Sequence, residues 1–430
     1  KGSAMVLAVI ISVVLLVLVI IGIALVSQQS SLVAGSRQKS QALAVAEAGL
    51  DAAIWRLERN GELSAQSFTE YNSEGKYTVW VQTPDANNTT RYVIKSLGEH
   101  TASGTQKKIE QDVYYVNLSR AVFSYSGANG ADQIEGSINI KGPFYTAGGL
   151  NISGNVGIYN LDNSTGNPLM IGGDLTIGSA SVNVGGTGQP IGENSPMAVF
   201  VKGAINKPGQ VFTFVSKQVP DIALPNIVRT QFLDAAQGND NAVYTGDLVL
   251  DSTLVEFGMR DDSSYTFKYD PNAANNQLTT EGVVYVDGDL TISKPIEYTH
   301  GAGYTKSTIF VTGVITITND IIASGAYPSQ SVLALVNEDK SAVDDIVIDA
   351  PQGKKPLVQC FLYSSGQATI EKKVTIHGSL MTKMLTLNQV PDLEAPDDSV
   401  KDNYPYLFPG KDLAFITTSN WREVKPVVEP

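Results

Sequence analysis

The sequence contains one cysteine and three histidines in 430 residues. With Cys360 alone, no internal disulfide can form, so the fold must be stable through packing. His100, His300 and His377 lie far apart in the sequence, and their spacing is not that of a zinc or iron site. We therefore expect no metal site and no cofactor.

Charge is also scarce, because only 17% of the residues are charged, a low fraction for a soluble enzyme. The net charge of −13 at pH 7 disfavours binding to nucleic acid or to anionic lipid, since both select basic surfaces. The sequence has no nucleophile elbow, phosphate loop or Cys–His arrangement. These absences predict a protein that is not an enzyme, has no catalytic residues and does not bind nucleic acid.

The sequence does have a long apolar run. Residues 4–26 read AMVLAVIISVVLLVLVIIGIALV, with no charge and with Ser12 as the one polar side chain. As a helix the run would reach about 35 Å, enough to cross a bilayer about 30 Å thick. It is longer than the apolar core of a cleaved secretory signal, and the first proline is Pro84. We expect one long helix over residues 1–60, with an ordinary single-span anchor as the simpler alternative.

The second half of this predicted helix carries an apolar stripe with spacings of three and four residues, typical of one helix face. The first carboxylate of the chain, Glu47, borders the stripe and has no opposite charge one turn away. Two interpretations stay open for Glu47: a contact with Arg37 or Lys39 of a neighbouring subunit, or a solvated edge. The stripe consists of Leu43, Ala46, Leu50, Ala53 and Leu57.

A β-rich region covers residues 61–120. Three partly alternating runs, at 75–83, 90–98 and 105–116, are separated by polar turns. They predict a small antiparallel sheet with one apolar face, which the helix stripe could cover.

Residues 121–388 are quasi-repetitive. The sequence Gly-Asp-Leu-Thr-Ile begins at Gly173 and at Gly288, and a close variant begins at Gly246. Short apolar-polar-apolar strands that end in glycine are typical of a parallel β-helix or solenoid. A β-sandwich is the alternative. The fold class predicted for the whole chain is therefore α+β, with a largely β body.

Two segments depart from the repeats. Residues 217–240 contain two prolines and a predicted short helix, and we interpret them as an insertion packed on the solenoid or capping it. The C-terminal residues 389–430 are rich in proline and aromatic side chains. Tyr404, Tyr406 and Phe408 are expected to fold back as a cap, because solenoid ends need a cover. A carbohydrate-stacking platform is the alternative.

The start of the chain reads Lys1-Gly2-Ser3-Ala4 before the apolar helix, and Ala44-Val-Ala-Glu-Ala-Gly-Leu50 follows on that helix. With the β-rich runs after it, this arrangement resembles the type IV pilin-like proteins, most closely the minor-pilin group with a PilX-type N-terminus. The resemblance covers about residues 1–116, and the β-repeat body is an addition to it.

The resemblance implies a structural subunit of a type IV pilus-like surface filament. Helices would pack in the filament core as a homo-oligomer, and the β body would be exposed outside the cell. It implies a subunit inserted in the cytoplasmic membrane before assembly, pilus assembly machinery as a partner, and cleavage between Gly2 and Ser3. Pilins usually carry Glu at the fifth mature position, where this chain has Leu7. A surface or carbohydrate ligand is a further candidate partner.

Two functions from other classes remain as alternatives: a membrane-anchored monomeric adhesin and a tethered β-helix carbohydrate-active enzyme. Adjacent carboxylates on a strand point to opposite faces, so acidic pairs are expected to serve surface solubility rather than catalysis. Those pairs are Asp261–Asp262, Asp344–Asp345 and Asp397–Asp398. Five Asn-x-Ser/Thr triplets are candidate glycosylation sites: Asn87, Asn88, Asn117, Asn151 and Asn163.

Overall fold

The computed structural model divides the chain into two compact units. The N-terminal unit comprises Lys1–Pro84, Arg91–Val113 and Thr418–Pro430, and the solenoid unit comprises Asp85–Thr90 and Tyr114–Thr417. The structure describes residues 2–60, 67–82, 91–117, 122–124, 131–135, 138–153, 156–159, 169–178, 183–185, 199–206, 215–216, 219, 222–301, 303–338, 345–388, 391–396, 403–409 and 414–425.

The N-terminal unit begins with α1 (Gly2–Asn60), an uninterrupted helix about 89 Å long. Four strands follow it: β1 (Ser67–Tyr71), β2 (Gly75–Gln82), β3 (Arg91–His100) and β4 (Gln106–Asn117). β1 pairs with β2 and β2 with β3, both antiparallel, and β4 lies beside β3. The three predicted runs correspond to β2, β3 and β4, whereas β1 was not predicted.

The second half of α1 packs on this sheet at very short range. A Cβ atom on Gly98 of β3 would lie 2.3 Å from the carbonyl oxygen of Ala42 on the helix. A Cβ atom on Gly49 would lie 2.4 Å from the Ser96 hydroxyl oxygen. Small residues at these positions therefore let the helix backbone lie directly against the strands, which explains the composition of the Ala-Glu-Ala-Gly stretch.

The solenoid unit starts with a first run of short strands. Their bounds are β5 (Val122–Ser124), β6 (Ala131–Glu135), β7 (Ile138–Lys141), β8 (Phe144–Thr146), β9 (Gly149–Ser153), β10 (Val156–Tyr159), β11 (Leu169–Ile171), β12 (Leu175–Ile177), β13 (Asn183–Gly185), β14 (Val199–Val201), β15 (Ile205–Asn206) and β16 (Val215–Ser216).

A helix, α2 (Arg229–Gly238), separates the first run from the second. The second run contains β17 (Val243–Thr245), β18 (Leu248–Leu250), β19 (Val255–Met259), β20 (Tyr265–Asp270), β21 (Gln277–Thr280), β22 (Gly282–Asp287), β23 (Leu290–Ile292), β24 (Ile296–Thr299), β25 (Lys306–Val311), β26 (Ile315–Ile317), β27 (Ile321–Ala323), β28 (Val332–Asn337), β29 (Ile346–Ile348), β30 (Leu357–Val358), β31 (Phe361–Ile370), β32 (Thr375–His377), β33 (Leu380–Leu387) and β34 (Asp392–Glu394). The last strand of the chain is β35 (Ala414–Val424).

The solenoid strands form three faces, and successive coils contribute one strand to each face. Face A is a parallel ladder in the order β16-β14-β11-β8-β5-β33-β31-β28-β25-β22-β17. Face B contains β18-β23-β26-β29-β31 and the parallel sheet β6-β9-β12-β15. Face C runs β13-β10-β7-β34-β32-β30-β27-β24-β21 in parallel and ends in the antiparallel strands β20 and β19. The inward side chains form one apolar core.

The order of coils in the stack differs from their order in the chain. β33, near the end of the second run, pairs in parallel with β5, the first strand of the solenoid, and β34 pairs with β7. The chain therefore enters the stack in its middle, builds one end, crosses to the other end and winds back to the middle.

The described part of the segment that crosses between the two ends lies along the outer side of face A, and we call residues 222–238 the strap. Its Ile222 amide donates to the Tyr145 hydroxyl of β8 at 3.0 Å, and the Tyr363 hydroxyl of β31 donates to the Pro225 carbonyl. Further along, the Phe232 ring stacks on Phe310 of β25 at 4.6 Å. Face A is thus buried on both sides, which explains why its strands are apolar at consecutive positions.

The repeated Gly-Asp motif forms a corner between faces A and B. A Cβ atom on Gly288 would lie 2.3 Å from the carbonyl oxygen of Gly246, so glycines of consecutive coils stack in contact. The following Asp289 accepts the Val314 amide of the next coil at 2.8 Å through Oδ1. Asp174 accepts the Ala204 amide in the same way at 2.7 Å. The motif therefore satisfies a backbone donor where strand pairing is interrupted.

The C-terminal residues lie in two places. Residues 403–409 cover part of the outer side of face A, where the Tyr404 and Phe408 rings each lie 5.3 Å from the Phe361 ring. β35 then joins the N-terminal sheet beside β4. As expected, aromatic residues near the C-terminus pack on the solenoid. Residues 403–409 cover a lateral face of the solenoid, however, and not the predicted end.

The predicted fold class, α+β with a long N-terminal helix, a small antiparallel sheet and a large β body, is confirmed. Parallel pairing throughout face A is the pattern of a solenoid, whereas the alternative β-sandwich would be built from antiparallel sheets. The helix predicted within residues 217–240 is α2.

We expect Gly288→Ala to lower the free energy of unfolding of the solenoid unit by about 1–3 kcal/mol, because the added methyl group overlaps the backbone of the neighbouring coil. Thermal unfolding followed by circular dichroism measures this change. Gly238→Ala is the control, since a Cβ atom there meets nothing within 4 Å. Equal melting temperatures for the two variants would contradict the stacked-corner explanation.

Candidate functional site

The first half of α1 is an apolar surface that the chain itself does not cover. Every large apolar side chain from Leu7 to Val26 is 48–65% exposed. The Ser12 hydroxyl donates to the Ala8 carbonyl at 2.9 Å, so the one polar side chain of this stretch is satisfied within the helix. Within the described part of the chain, α1 alone is long and apolar enough to cross a membrane. We call residues 7–26 the exposed apolar segment.

The stripe on the second half of α1 faces the chain's own sheet. Ala46, Leu50, Ala53 and Leu57 are buried, and Leu43 is half-buried. Val45 is also buried although it was not in the predicted stripe. The predicted role of these residues in assembly stays a prediction. Because they are covered within their own subunit, such a role would be indirect, through the position of the helix on the sheet.

Glu47 lies on the outer side of the helix, next to the buried Ala46. It is exposed, as are Arg37 and Lys39 between two and three turns earlier. Among the residues that the structure describes, none of these three side chains makes an ion pair or a hydrogen bond. The structure therefore brings Glu47 and the two basic residues to the free surface, on the same helix but out of reach of one another.

A polar contact fastens the end of α1 to the sheet. The Arg56 guanidinium forms an ion pair with Glu70 of β1 and lies 3.7 Å from the centre of the Phe68 ring. The Tyr77 hydroxyl of β2 donates to the other oxygen of Glu70 at 2.6 Å. Burial, together with the neighbouring carboxylate, raises the pKa of Tyr77 to about 12. The sequence pattern does not predict this contact, because it does not predict β1.

The remaining predicted sites are spread over the chain. Gly2 and Ser3 lie in the first turn of α1. Asn151 is a half-buried residue of β9, and Asn117 is the last residue of β4. The other three glycosylation candidates, Asn87, Asn88 and Asn163, lie outside the described residues. Glycosylation and cleavage therefore stay predictions.

The acidic pairs have different environments. Asp262 is an exposed turn residue whose carboxylate accepts the Ser264 amide at 2.9 Å. Asp345 is buried and accepts the Ser364 hydroxyl at 2.9 Å and the Gln367 amide at 3.1 Å. The surface-solubility explanation is therefore wrong for Asp345, which supports the irregular middle of β31. Asp344, Asp397 and Asp398 lie outside the described residues.

Potential metal ligands do not cluster in the described ranges, where no group of three or more His, Cys, Asp and Glu side chains could hold an ion. Cys360 is buried in the apolar core, and burial raises the pKa of its thiol far above the usual range. A partly buried polar cluster does occur beside the hairpin of β19 and β20, where Arg260 lies between the buried Glu281 and the exposed Asp240.

His300 belongs to this cluster. Its Nδ1 lies 2.8 Å from the Thr280 carbonyl oxygen, and its neighbour Gly301 packs directly against the Glu281 carboxylate. Burial lowers the pKa of His300 below its ordinary value. The sequence gives no signal for this cluster, because its members come from separate coils that meet only in the stack.

No protein-family model matches the sequence. No curated protein matches it either. Among solved structures, the chain is similar to the competence-associated pilin ComZ from Thermus thermophilus, at 15% sequence identity and a TM-score of 0.40. The alignment covers 90% of this chain and 97% of that chain. At these values the likeness does not by itself define a function, which has to follow from the residues.

The half-buried His300 predicts a stability that depends on pH. Its pKa is lowered in the folded state, so the unfolded chain takes up the proton first as the pH falls below about 6.5. The stability is therefore complete above that pH and is lost as the pH falls through the folded-state pKa. We expect the fall in melting temperature between pH 7.5 and pH 5.5 to be smaller in His300→Gln than in the wild type. Equal falls would contradict this role.

Proposed function

We propose that this chain is the structural subunit of a type IV pilus-like surface filament. In this proposal α1 is held in the cytoplasmic membrane before assembly and packs in the filament core afterwards, while the solenoid unit is displayed outward. The observation that carries the proposal is the exposed apolar segment, in which no large side chain is covered by the chain itself.

The energetics require an apolar environment for this segment both in the membrane and after it leaves the membrane. Full burial of one Val, Leu or Ile side chain from water contributes about 1.5–3 kcal/mol, so residues 7–26 cannot remain in water. A bundle of identical helices can replace the lipid. The gain relative to lipid is much smaller than the gain relative to water, so extraction needs an assembly motor, and pilus assembly machinery is the proposed partner.

The packing of α1 in its own subunit also supports assembly. The sheet of the same chain covers the apolar stripe on the second half of α1, and Arg56 forms an ion pair with Glu70. The apolar surface left for neighbouring copies is therefore the first half of the helix. Copies that add head to tail along this surface form an open helical polymer, which is the geometry of a filament.

Glu47 is proposed to set the offset between neighbouring copies. Apolar side chains alone fix the axial position of packed helices weakly, whereas one ion pair selects a register. Glu47 lies eight residues after Lys39 and ten after Arg37, which corresponds to about 12–15 Å along the helix. A contact between Glu47 of one copy and a basic residue of the next would shift parallel helices by that distance.

The first test is the location of the chain on cells. We expect material sheared from the cell surface to contain the chain in ordered filaments, detected by electron microscopy with an antibody against the solenoid unit. Shearing separates surface polymers from membrane-held proteins, so the same antibody is also applied to the detergent-extracted membranes. Recovery only from those membranes would contradict the filament and favour the monomeric adhesin on a single-span anchor.

The second test is charge reversal. We expect Glu47→Arg to reduce filament yield roughly fivefold, the effect of about 1 kcal/mol at one contact. Arg37→Glu combined with Glu47→Arg should restore the yield, because the pair is re-formed with exchanged charges. Glu74→Arg, at an exposed turn of the same unit, is the control with an equal change in charge. If Glu74→Arg reduces the yield as much as Glu47→Arg, the register role of Glu47 is wrong.

A further inference from the structure

We propose that a groove lined by four lysines on the solenoid unit binds an anionic sugar residue of an acidic saccharide. The groove has a volume of about 580 Å³ and is lined by Lys354, Lys355, Lys372, Lys373 and the turn residues 351–353. We call it the lysine groove. It lies on a protein whose net charge is −13, so a local concentration of positive charge needs an explanation. The proposal does not depend on filament assembly.

The stacking of coils produces the groove. Lys354 and Lys355 precede β30, and Lys372 and Lys373 precede β32, so the two pairs occupy the same turn of consecutive coils. Neighbouring parallel strands are about 4.8 Å apart, and like charges on adjacent strands repel each other. An anion bound between the two turns would relieve this repulsion.

Groups of the protein neutralise only part of this charge. Lys355 forms an ion pair with Asp392, and Lys354 donates to the Asn319 side chain at 3.4 Å. Within the described ranges, Lys372 and Lys373 have neither an ion pair nor a hydrogen bond. Asp349 and Glu371 begin the two turns, but their carboxylates do not line the groove. Two ammonium groups are thus available to a ligand.

The lining selects the class of ligand. Lysine ammonium groups bind carboxylate or sulfate as point charges, and the Gln352 amide can bind hydroxyl groups. No aromatic side chain is among the lining residues, so the groove offers no stacking platform for nucleobases. Its volume lies in the range of small-ligand sites, and the charge is confined to two coils. A compact acidic sugar fits these properties better than a long polyanion, which the overall negative charge repels.

The test is isothermal titration of the purified full chain, in nonionic detergent, with trigalacturonate and with neutral maltotriose. We expect trigalacturonate to bind, maltotriose not to bind, and the affinity for trigalacturonate to fall as salt is added. The double variant Lys372→Gln/Lys373→Gln should bind trigalacturonate at least roughly tenfold more weakly, because two charge-assisted contacts are lost.

The matched control is Lys294→Gln/Lys383→Gln, which removes two exposed lysines of the same solenoid outside the groove. Its affinity should stay within about twofold of the wild type, since distant exposed charges are screened. Equal losses in the two double variants, or no binding of trigalacturonate, would overturn the proposal. A 20-base-pair DNA duplex is titrated in parallel, and binding of the duplex without binding of the saccharide would also overturn it, in favour of a nucleic-acid site.

Discussion

The structure depends on how one helix divides its apolar surface. α1 buries the stripe of its second half on a sheet of the same chain and leaves the exposed apolar segment without cover. The first contact is close because Gly49 and Gly98 permit it. The exposed apolar segment requires lipid or other helices around it, because the exposure of so many aliphatic side chains to water is unfavourable. Folding and assembly thus use different halves of the same element.

In the solenoid unit, both the faces and the ends of the stack of coils have to be covered. Its three faces enclose an aliphatic core, and the outer side of face A is covered by the strap and by residues 403–409. At one end, face C passes into antiparallel strands, which change the pairing pattern beyond the last parallel coil. The insertion that interrupts the repeats is therefore part of the core packing of this unit.

Sequence patterns predicted the helices and strands well, but they did not predict which distant strands pair with each other. The 3.6-residue stripe identified the buried side of α1, and alternation identified β2, β3 and β4, since both are local consequences of backbone geometry. The Gly-Asp repeats identified a solenoid, because each coil needs the same corner. The pairing of β33 with β5 joins strands more than 250 residues apart, and no local period encodes such a choice.

The candidate sites show the same difference between features set by local sequence and features formed by distant residues. Glu47 stood out in the sequence as a lone carboxylate at the edge of a stripe, and it lies exposed on the helix. The lysine groove and the His300 cluster could not be found that way, because each is formed by residues from different coils. Asp345 was misjudged for a related reason, since its partners Ser364 and Gln367 belong to the next coil.

The position of β35 has a consequence for how such a chain can change in evolution. Lys107 and Glu110, early in β4, pair with Glu423 and Arg422, late in β35, so the end of β4 lies near the start of β35. Apart from Asp85–Thr90, the solenoid unit thus lies in the chain between two adjacent strands of one sheet. Such a cassette can be lengthened, shortened or exchanged for another domain while the sheet that anchors the helix stays intact.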